Sequence, residues 1–288
     1  MELDNIFLKN ENLTVVIKPL GAEIISIKDA DEIERLHQPD MVFWNGQAPL
    51  LFPWCGKMRD KKFVYEDKEY NLTQHGFARD SLFELLEQTE DLAVFSLLSN
   101  EKTKEMYPFD FELIVTYKLL GNSIDVSYEV LNDGECDMYF AIGSHESYNC
   151  LDGLSEYEIH FEKEEASKPY IFGTEIIPEK NITSTDAHTV ISLSDDLFEG
   201  SRTVICEKPL SNFVYLVHKK DGEKIRVDFE DFSYLLFWTP PGSQFVCIEP
   251  WTTSPDSDSS SYKISEKKDV VCLEPNGHFE AHHIISIL

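Results

Sequence analysis

The sequence predicts an all-β protein built from large antiparallel sheets. Short segments with period-2 alternation, or with many β-branched and aromatic residues, recur along the whole 288-residue chain. Turn signals such as LGNS, NDGE, KDGE and PPGS separate these segments. Amphipathic segments of helical length are nearly absent, and only residues 29–37 (DADEIERLH) suggest a short helical turn.

The predicted strands follow one another from the first part of the chain to the last. LTVVIK and AEIISIKD are rich in valine and isoleucine, and SIDVSYEVLN alternates between apolar and polar residues. The set comprises residues 13–18, 22–29, 92–99, 111–119, 123–132, 157–162, 212–219, 224–230, 245–250 and 282–288. The polar stretch 252–261 is interpreted as a loop, and no linker or fixed-period repeat divides the sequence. We therefore expect a single domain over residues 1–288.

Composition and charge disfavour several classes of function. Hydrophobic residues make up 42% of the chain and charged residues 27%, as in a globular protein with a sizeable core. The formal net charge of −28 disfavours nucleic acid and anionic membranes as partners, because both would be repelled. No apolar run approaches the ~20 residues of a membrane span, and the first residues contain no apolar core for export. The six cysteines form no CxxC pair, so we expect a cytoplasmic protein with free thiols and no bound metal.

Several ionisable residues stand directly after apolar segments, beside glycine or proline. Lys57 follows LLFPWCG, His75 and Arg79 lie in QHGFAR, His145 lies in FAIGSHESY, and Glu249 lies in FVCIEPW. Each of these alone is more often structural or solvated than functional. Together, two histidines and a carboxylate around an aromatic-lined cleft suit proton transfer to a neutral polar substrate. The sequence contains no GxSxG, phosphate-binding GxxxxGK[ST], strand-linked GxGxxG or HExxH motif.

The two adjacent histidines near the end of the chain receive a different interpretation. His282 and His283 alternate along the last predicted strand, so their rings are expected on opposite faces of the sheet. We therefore interpret both of them as structural.

The order of the motifs resembles that of the aldose 1-epimerase (galactose mutarotase-like) superfamily, and most closely its LacX-like branch. The run from FWNGQAPLLFPWCGK to QHGFAR and FEL is followed by IGSHESY, then DDLF, and finally CIEPW. The likeness covers nearly the full chain, and the ordered combination is specific although each piece alone is not. The resemblance implies a β-supersandwich of large antiparallel sheets with a sugar-binding cleft, and it implies no metal or organic cofactor.

The same resemblance implies roles for three catalytic residues. Glu249 matches the family's general base, His145 its general acid, and His75 the second site histidine, which hydrogen-bonds the sugar. Such a set would open the hemiacetal ring of an aldose and close it again as the other anomer. The function implied is therefore that of a mutarotase acting on an aldohexose.

The resemblance also implies substrate-binding residues. Arg79 belongs to the HGFAR form that a hexose-6-phosphate branch shares, and Lys57 stands where many relatives carry arginine. Asp195, in DDLF, matches a carboxylate that binds sugar hydroxyls. Aromatic side chains are expected to form an apolar wall against the sugar ring, although only one or two of the candidates are needed. Those candidates are Trp54, Trp238, Trp251, Phe77 and Tyr148.

Other interpretations stay open at this point. The substrate is a small-molecule sugar, free or phosphorylated, and in the phosphorylated case Lys57, Arg59 and Arg79 would hold the phosphate. A non-catalytic carbohydrate-binding or regulatory protein is a second alternative, and a lyase or hydrolase is a third. The sequence alone determines neither the sugar nor the oligomeric state.

Overall fold

Two large antiparallel sheets form the architecture of the computed structural model. The structure describes residues 4–165, 170–172, 183–184, 189–200 and 202–288. The larger sheet has nine strands in the order β15-β12-β17-β18-β22-β9-β8-β7-β6. These strands are β6 (Glu84–Gln88), β7 (Leu92–Leu98), β8 (Phe111–Leu120), β9 (Ser123–Asn132), β12 (Tyr157–Phe161), β15 (Val190–Ser192), β17 (Phe213–His218), β18 (Gly222–Asp228) and β22 (His278–Ile287).

The second large sheet has six strands in the order β11-β20-β19-β16-β13-β14. These strands are β11 (Glu146–Asn149), β13 (Tyr170–Phe172), β14 (Thr183–Ser184), β16 (Thr203–Glu207), β19 (Tyr234–Trp238) and β20 (Phe245–Trp251). Three small sheets complete the described strands. They are formed by β1 (Ile6–Lys9), β2 (Thr14–Lys18) and β3 (Glu23–Lys28), by β4 (Lys62–Tyr65) and β5 (Lys68–Asn71), and by β10 (Met138–Phe140) and β21 (Val271–Leu273).

Helices are few and short in the described part of the chain. Helix α1 (Glu101–Met106) begins at a capping box, in which the Asn100 side chain accepts hydrogen bonds from the Lys102 and Thr103 backbone N–H groups. Helix α2 (Asp195–Phe198) is a single turn capped by Ser194. The 3₁₀ helices are Arg59–Lys61, Ala78–Asp80, Leu154–Glu156 and Ile264–Glu266. None of the described helices has the length and apolar character needed to cross a bilayer.

The main core lies between the two large sheets. Alternate residues of β8 and β9 are buried, as their period-2 patterns predict. Phe161 of β12 contacts Phe237 of β19 edge to face across this core, with ring centroids 6.1 Å apart. The predicted turns connect consecutive antiparallel strands; LGNS, for example, joins β8 to β9. The prediction of an all-β protein with large antiparallel sheets is therefore confirmed.

The expected helical turn at residues 29–37 is wrong. The Asp29 carboxylate accepts hydrogen bonds from the backbone N–H groups of Asp31 and Ile33, and these bonds hold a tight turn instead. Leu36 then forms an isolated antiparallel bridge with Tyr148. The segment therefore adds a short extended stretch beside β11, because side-chain bonds to the backbone compete with helix formation.

Two loops, the 50–56 segment and the 74–80 segment, are held against each other beside the six-stranded sheet. Phe52 O accepts hydrogen bonds from the backbone N–H groups of Phe77 and Ala78, at 3.0 and 3.1 Å. On its other side the 50–56 segment bonds Gly143 through Leu51. These contacts bring QHGFAR, CGK and IGSH, which are distant in sequence, next to one another in the structure.

Candidate active site

The floor of the site is the face of the six-stranded sheet that points away from the core. Cross-strand partners project to the same face of a sheet, and Glu249 of β20 is paired with Leu236 of β19. Both residues line a cavity of about 600 Å³, together with Trp238 and Trp251. A cavity of this size suits a ligand as large as a monosaccharide.

The two packed loops form the opposite wall of this cavity. His75, Lys57 and Arg79 all line it. The loops are joined at the site itself, because His75 N–H donates to Gly56 O at 2.9 Å and Gly56 N–H donates to His75 Nδ1 at 3.2 Å. The position of the His75 ring is therefore fixed by the backbone of the neighbouring loop.

Glycine is required directly after His75. Gly76 has a φ of +71°, and a Cβ added there would lie 2.2 Å from Phe52 O. Phe52 O is the same atom that accepts the two hydrogen bonds from Phe77 and Ala78. The close approach that excludes a side chain at position 76 is thus the contact that joins the loops.

His145 and Glu249 form a direct buried pair. His145 Nε2 lies 3.2 Å from Glu249 Oε2, and the two residues are 7% and 1% exposed. Burial raises the pKa of Glu249 well above its ordinary value, and the nearby charge of Glu146 raises it further. Burial also lowers the pKa of His145 to about 4. Both shifts favour a pair without net charge, which shares one dissociable proton between a carboxyl group and an imidazole.

His75 completes a cluster of two histidines and one carboxylate. Its ring packs edge to face against His145 and against Trp251, with ring centroids 5.5 Å apart in each case. Burial lowers the pKa of His75 well below its ordinary value, and charges on His145, Arg79 and Lys57 lower it further. Because Nδ1 accepts the Gly56 N–H, the neutral ring carries its hydrogen on Nε2, which lies 3.0 Å from the side-chain amide of Gln74.

Aromatic rings enclose the catalytic cluster on one side. Trp44 lies 5.0 Å from His145 and 5.6 Å from Trp238, measured between ring centroids. Beneath it, His37 Nε2 lies 3.1 Å from Trp44 O and the His37 ring stacks on Phe245 at 4.0 Å. Such a wall offers apolar ring faces to the C–H groups of a sugar.

Not every predicted site residue lines the cavity. Trp54 is 1% exposed in the core, with the Lys267 ammonium 5.4 Å from the centre of its ring. Asp195 is exposed, and its carboxylate accepts a hydrogen bond from Gly242 N–H at 2.7 Å. Arg59 also lies outside the lining; its guanidinium donates to Ser260 O and lies over the ring of Tyr262.

Several residues that line the cavity are not among the predicted site residues. Phe43, Trp44, Gln74 and Thr203 belong to this group. Phe43 and Trp44 lie in FWNG and Gln74 lies in QHGFAR, so the resemblance carried a signal for these three, while Thr203 reaches the site through its pairing with Trp238 on β19. Of the further aromatic candidates, Trp251 lines the cavity, whereas Phe77 and Tyr148 are buried and do not.

One donor set at the site has the spacing of metal ligands. His145, Cys247 and Glu249 offer ligand atoms within 4.8 Å of one another. Burial raises the pKa of the Cys247 thiol well above its ordinary value, so the sulfur keeps its proton. Two members of the trio, His145 and Glu249, already pair with each other at 3.2 Å.

Fold and site together define a class: an all-β protein with a histidine–carboxylate pair in a cleft of monosaccharide size. The family model described as Aldose 1-epimerase matches residues 4–284. Protein LacX from the Lactococcus lactis plasmid is 34% identical over 300 residues, which is 98% of each chain. This chain belongs to the aldose 1-epimerase family, and its fold is the galactose mutarotase-like β-supersandwich.

Solved structures agree with the family. A galactose mutarotase related enzyme from Lactobacillus acidophilus superposes with a TM-score of 0.92 at 29% identity, over 99% of this chain and 97% of that one. A galactose mutarotase-like protein from Lactobacillus casei gives a TM-score of 0.91 at 28% identity, over 99% of this chain and 100% of the other. Membership of this family supports a role in carbohydrate isomerisation with a sugar as the substrate.

Proposed function

We propose that the protein is an aldose 1-epimerase that interconverts the α and β anomers of a free aldohexose. The observation that carries the proposal is the pairing of His145 Nε2 and Glu249 Oε2 at 3.2 Å in the cavity. A donor and an acceptor at this spacing can each reach one of the two oxygens attached to the anomeric carbon. Those oxygens are the C1 hydroxyl and the ring oxygen.

The reaction needs one base and one acid. Glu249 removes the proton from the C1 hydroxyl, the C1=O double bond forms, and the bond from C1 to the ring oxygen breaks. Protonated His145 gives its proton to the departing ring oxygen. The C1–C2 bond rotates, and the ring oxygen attacks the other face of the carbonyl while both protons return.

The shared proton makes this arrangement workable near neutrality. A neutral pair, with the proton on Glu249, contains as many protons as the working pair, with the proton on His145. One proton shift within the pair therefore produces the reactive form, and burial makes the ionised carboxylate a stronger base than an exposed one. His75 Nε2, which lies beside the side-chain amide of Gln74, hydrogen-bonds a sugar hydroxyl and holds the sugar ring in place.

The test measures exchange between anomers by NMR, using glucose, galactose and glucose 6-phosphate with and without protein. We expect acceleration for at least one sugar and expect Glu249→Gln to reduce it by about 10²- to 10⁴-fold, the usual contribution of a general base. Glu112→Gln is the matched control, because Glu112 accepts a hydrogen bond from Ser96 on the nine-stranded sheet, away from the cavity. Full activity in Glu249→Gln would remove the assignment of the base, and sugar binding without acceleration would favour the non-catalytic alternative.

A hexose 6-phosphate is the second candidate substrate, and one observation favours it. Lys57 and Arg79 both line the cavity, so two cations face the ligand in a strongly acidic protein. Arg59, the third expected cation, is directed to Ser260 and Tyr262 instead. Arg79→Gln separates the candidates: a loss confined to glucose 6-phosphate, and weakened by added salt, would indicate a phosphate contact.

A further inference from the structure

A second buried histidine–glutamate pair lies directly behind the first. Glu146 Oε1 is 3.2 Å from His283 Nε2, and the two side chains are 4% and 0% exposed. Glu146 follows His145 in the chain, so their side chains leave the start of β11 on opposite faces. Among the described histidine–carboxylate pairs, only these two have both members nearly fully buried.

The second pair crosses the core between the two large sheets. Glu146 is the cross-strand partner of Ile248, the residue that precedes Glu249, and both Glu146 and Ile248 project towards the nine-stranded sheet. His283 lies on β22 of that sheet. The carboxylate is thus beside both members of the catalytic pair, while its imidazole partner belongs to the opposite sheet.

Hydrogen bonds connect Glu146 to the cavity wall. Its Oε2 accepts from Ser144 Oγ at 2.7 Å, and Ser144 O accepts from Trp251 Nε1 at 3.1 Å. Trp251 lines the cavity and packs against His75. A buried histidine–carboxylate pair is weak evidence for stability, because burying a charged group costs several kcal/mol of desolvation.

We propose that Glu146, held by His283 and Ser144, is a positioning residue that fixes His145 and Trp251 and places a negative charge beneath the catalytic pair. This proposal deepens the proposed function and rests on it. The charge of Glu146 acts on the proton that Glu249 and His145 share. It raises the pKa of Glu249, in the same direction as the larger effect of burial. It also raises the pKa of His145, against the larger lowering by burial.

Glu146 is charged in the folded protein. Burial raises the pKa of its carboxyl group, but the charge and hydrogen bond of His283 and the Ser144 hydroxyl bring that pKa below its ordinary value. Burial keeps the pKa of the surrounding tyrosines and of Cys247 well above the ordinary values, so these groups stay neutral in the working range of pH. The titratable groups that interact electrostatically with Glu146 are His283 on β22, Tyr128 on β9, Tyr117 on β8, Tyr148 on β11, Cys247 and Glu249 on β20, and His145.

The test is the pH profile of anomer exchange in Glu146→Gln. The reactive pair carries one proton, so the rate falls at low pH, where the pair holds two protons, and at high pH, where it holds none. Removing the negative charge should move both limbs of this bell to lower pH, by about one pH unit. Glu112→Gln should leave the profile in place. A lower maximum with unmoved limbs would show that Glu146 is structural only and would overturn the proposal.

Two further measurements keep the result decisive. If Glu146→Gln folds poorly, the double variant Glu146→Gln/His283→Gln removes both ends of the pair, so no buried charge is left alone. It should shift the bell in the same direction, and limbs that stay in place would overturn the proposal.

Carbon-13 NMR of labelled glutamate carboxyl groups, with Glu249 assigned from Glu249→Gln, follows the titration of Glu249 without a substrate. Its midpoint should fall in Glu146→Gln even if no sugar is turned over, so failure of the inference and failure of the proposed function remain distinguishable.

Discussion

Replacement of Gly76 by alanine tests how the two loops assemble the site. Gly76 has a φ of +71°, a conformation that costs an alanine roughly 1–2 kcal/mol. The new Cβ would also lie 2.2 Å from Phe52 O, which is backbone and cannot move aside cheaply. Displacing that oxygen weakens the hydrogen bonds from Phe77 and Ala78, each worth roughly 0.5–1.5 kcal/mol. We therefore expect a loss of about 2–5 kcal/mol in the free energy of unfolding.

The same displacement should reduce activity out of proportion to stability. His75 precedes Gly76 and is bonded to Gly56 through its own ring, so the relaxed loop moves a side chain that faces the sugar. A shift of about 1 Å in a positioning group costs on the order of 10²-fold in rate. Chemical denaturation gives the stability, and NMR exchange between anomers gives the activity at a temperature where the variant remains folded.

Gly121→Ala is the matched control for this experiment. Gly121 has a φ of +62°, but a Cβ there meets nothing within 4 Å, and it lies in the turn between β8 and β9. This variant carries the cost of the backbone conformation without the collision, so it should be destabilised by only about 1–2 kcal/mol and remain fully active. If Gly76→Ala behaves like Gly121→Ala in both assays, the contact between the loops does not position His75.

Two further predictions concern the wall of the cavity and a buried ion pair. Trp238→Ala should lower kcat/KM by about 2- to 10-fold, because an aromatic contact is worth roughly 0.5–1.5 kcal/mol, whereas Trp54→Phe should leave the kinetics unchanged since Trp54 lies outside the lining. Asp256→Ala should destabilise the protein by about 3–5 kcal/mol in chemical denaturation, because it leaves the buried Lys267 ammonium without its carboxylate. Glu266→Ala, which breaks an exposed pair, should change stability little, and equal effects would contradict this reasoning.

Much of the fold could be predicted because period-2 patterns survive in long buried strands. SIDVSYEVLN coincides with β9 (Ser123–Asn132), and the last predicted strand lies within β22 except for its final residue. His282 and His283 lie on opposite faces as expected, one exposed beside Asp231 and the other fully buried. Shorter strands such as β10 (Met138–Phe140) have too few residues to show a period.

The ionisable residues of the site could be predicted from the sequence, but their surroundings depend on contacts between residues that are distant in sequence. Trp54 and Lys57 occur in the same run of residues, yet one faces the core and the other faces the cavity. Between them lies Gly56, whose backbone is held by hydrogen bonds to His75, a residue distant in sequence. Periodicity carries no information about such a contact, because the segment between the two residues is not a strand.

The sequence does not show which carboxylate each buried histidine contacts. Glu146 and His283 are 137 residues apart, and each was adjacent to a histidine that offered another interpretation. Their contact depends on the register of β11 in one sheet, on that of β22 in the other, and on how the sheets pack. A shift of one residue in either strand would turn the side chain to the opposite face and leave a buried charge alone. An unpaired buried charge costs several kcal/mol, so the Glu146–His283 pair disfavours strand registers in which the two side chains do not meet. The register that it favours also brings His145 to the cavity. Residues on the core face and residues on the cavity face of the six-stranded sheet therefore specify the same arrangement.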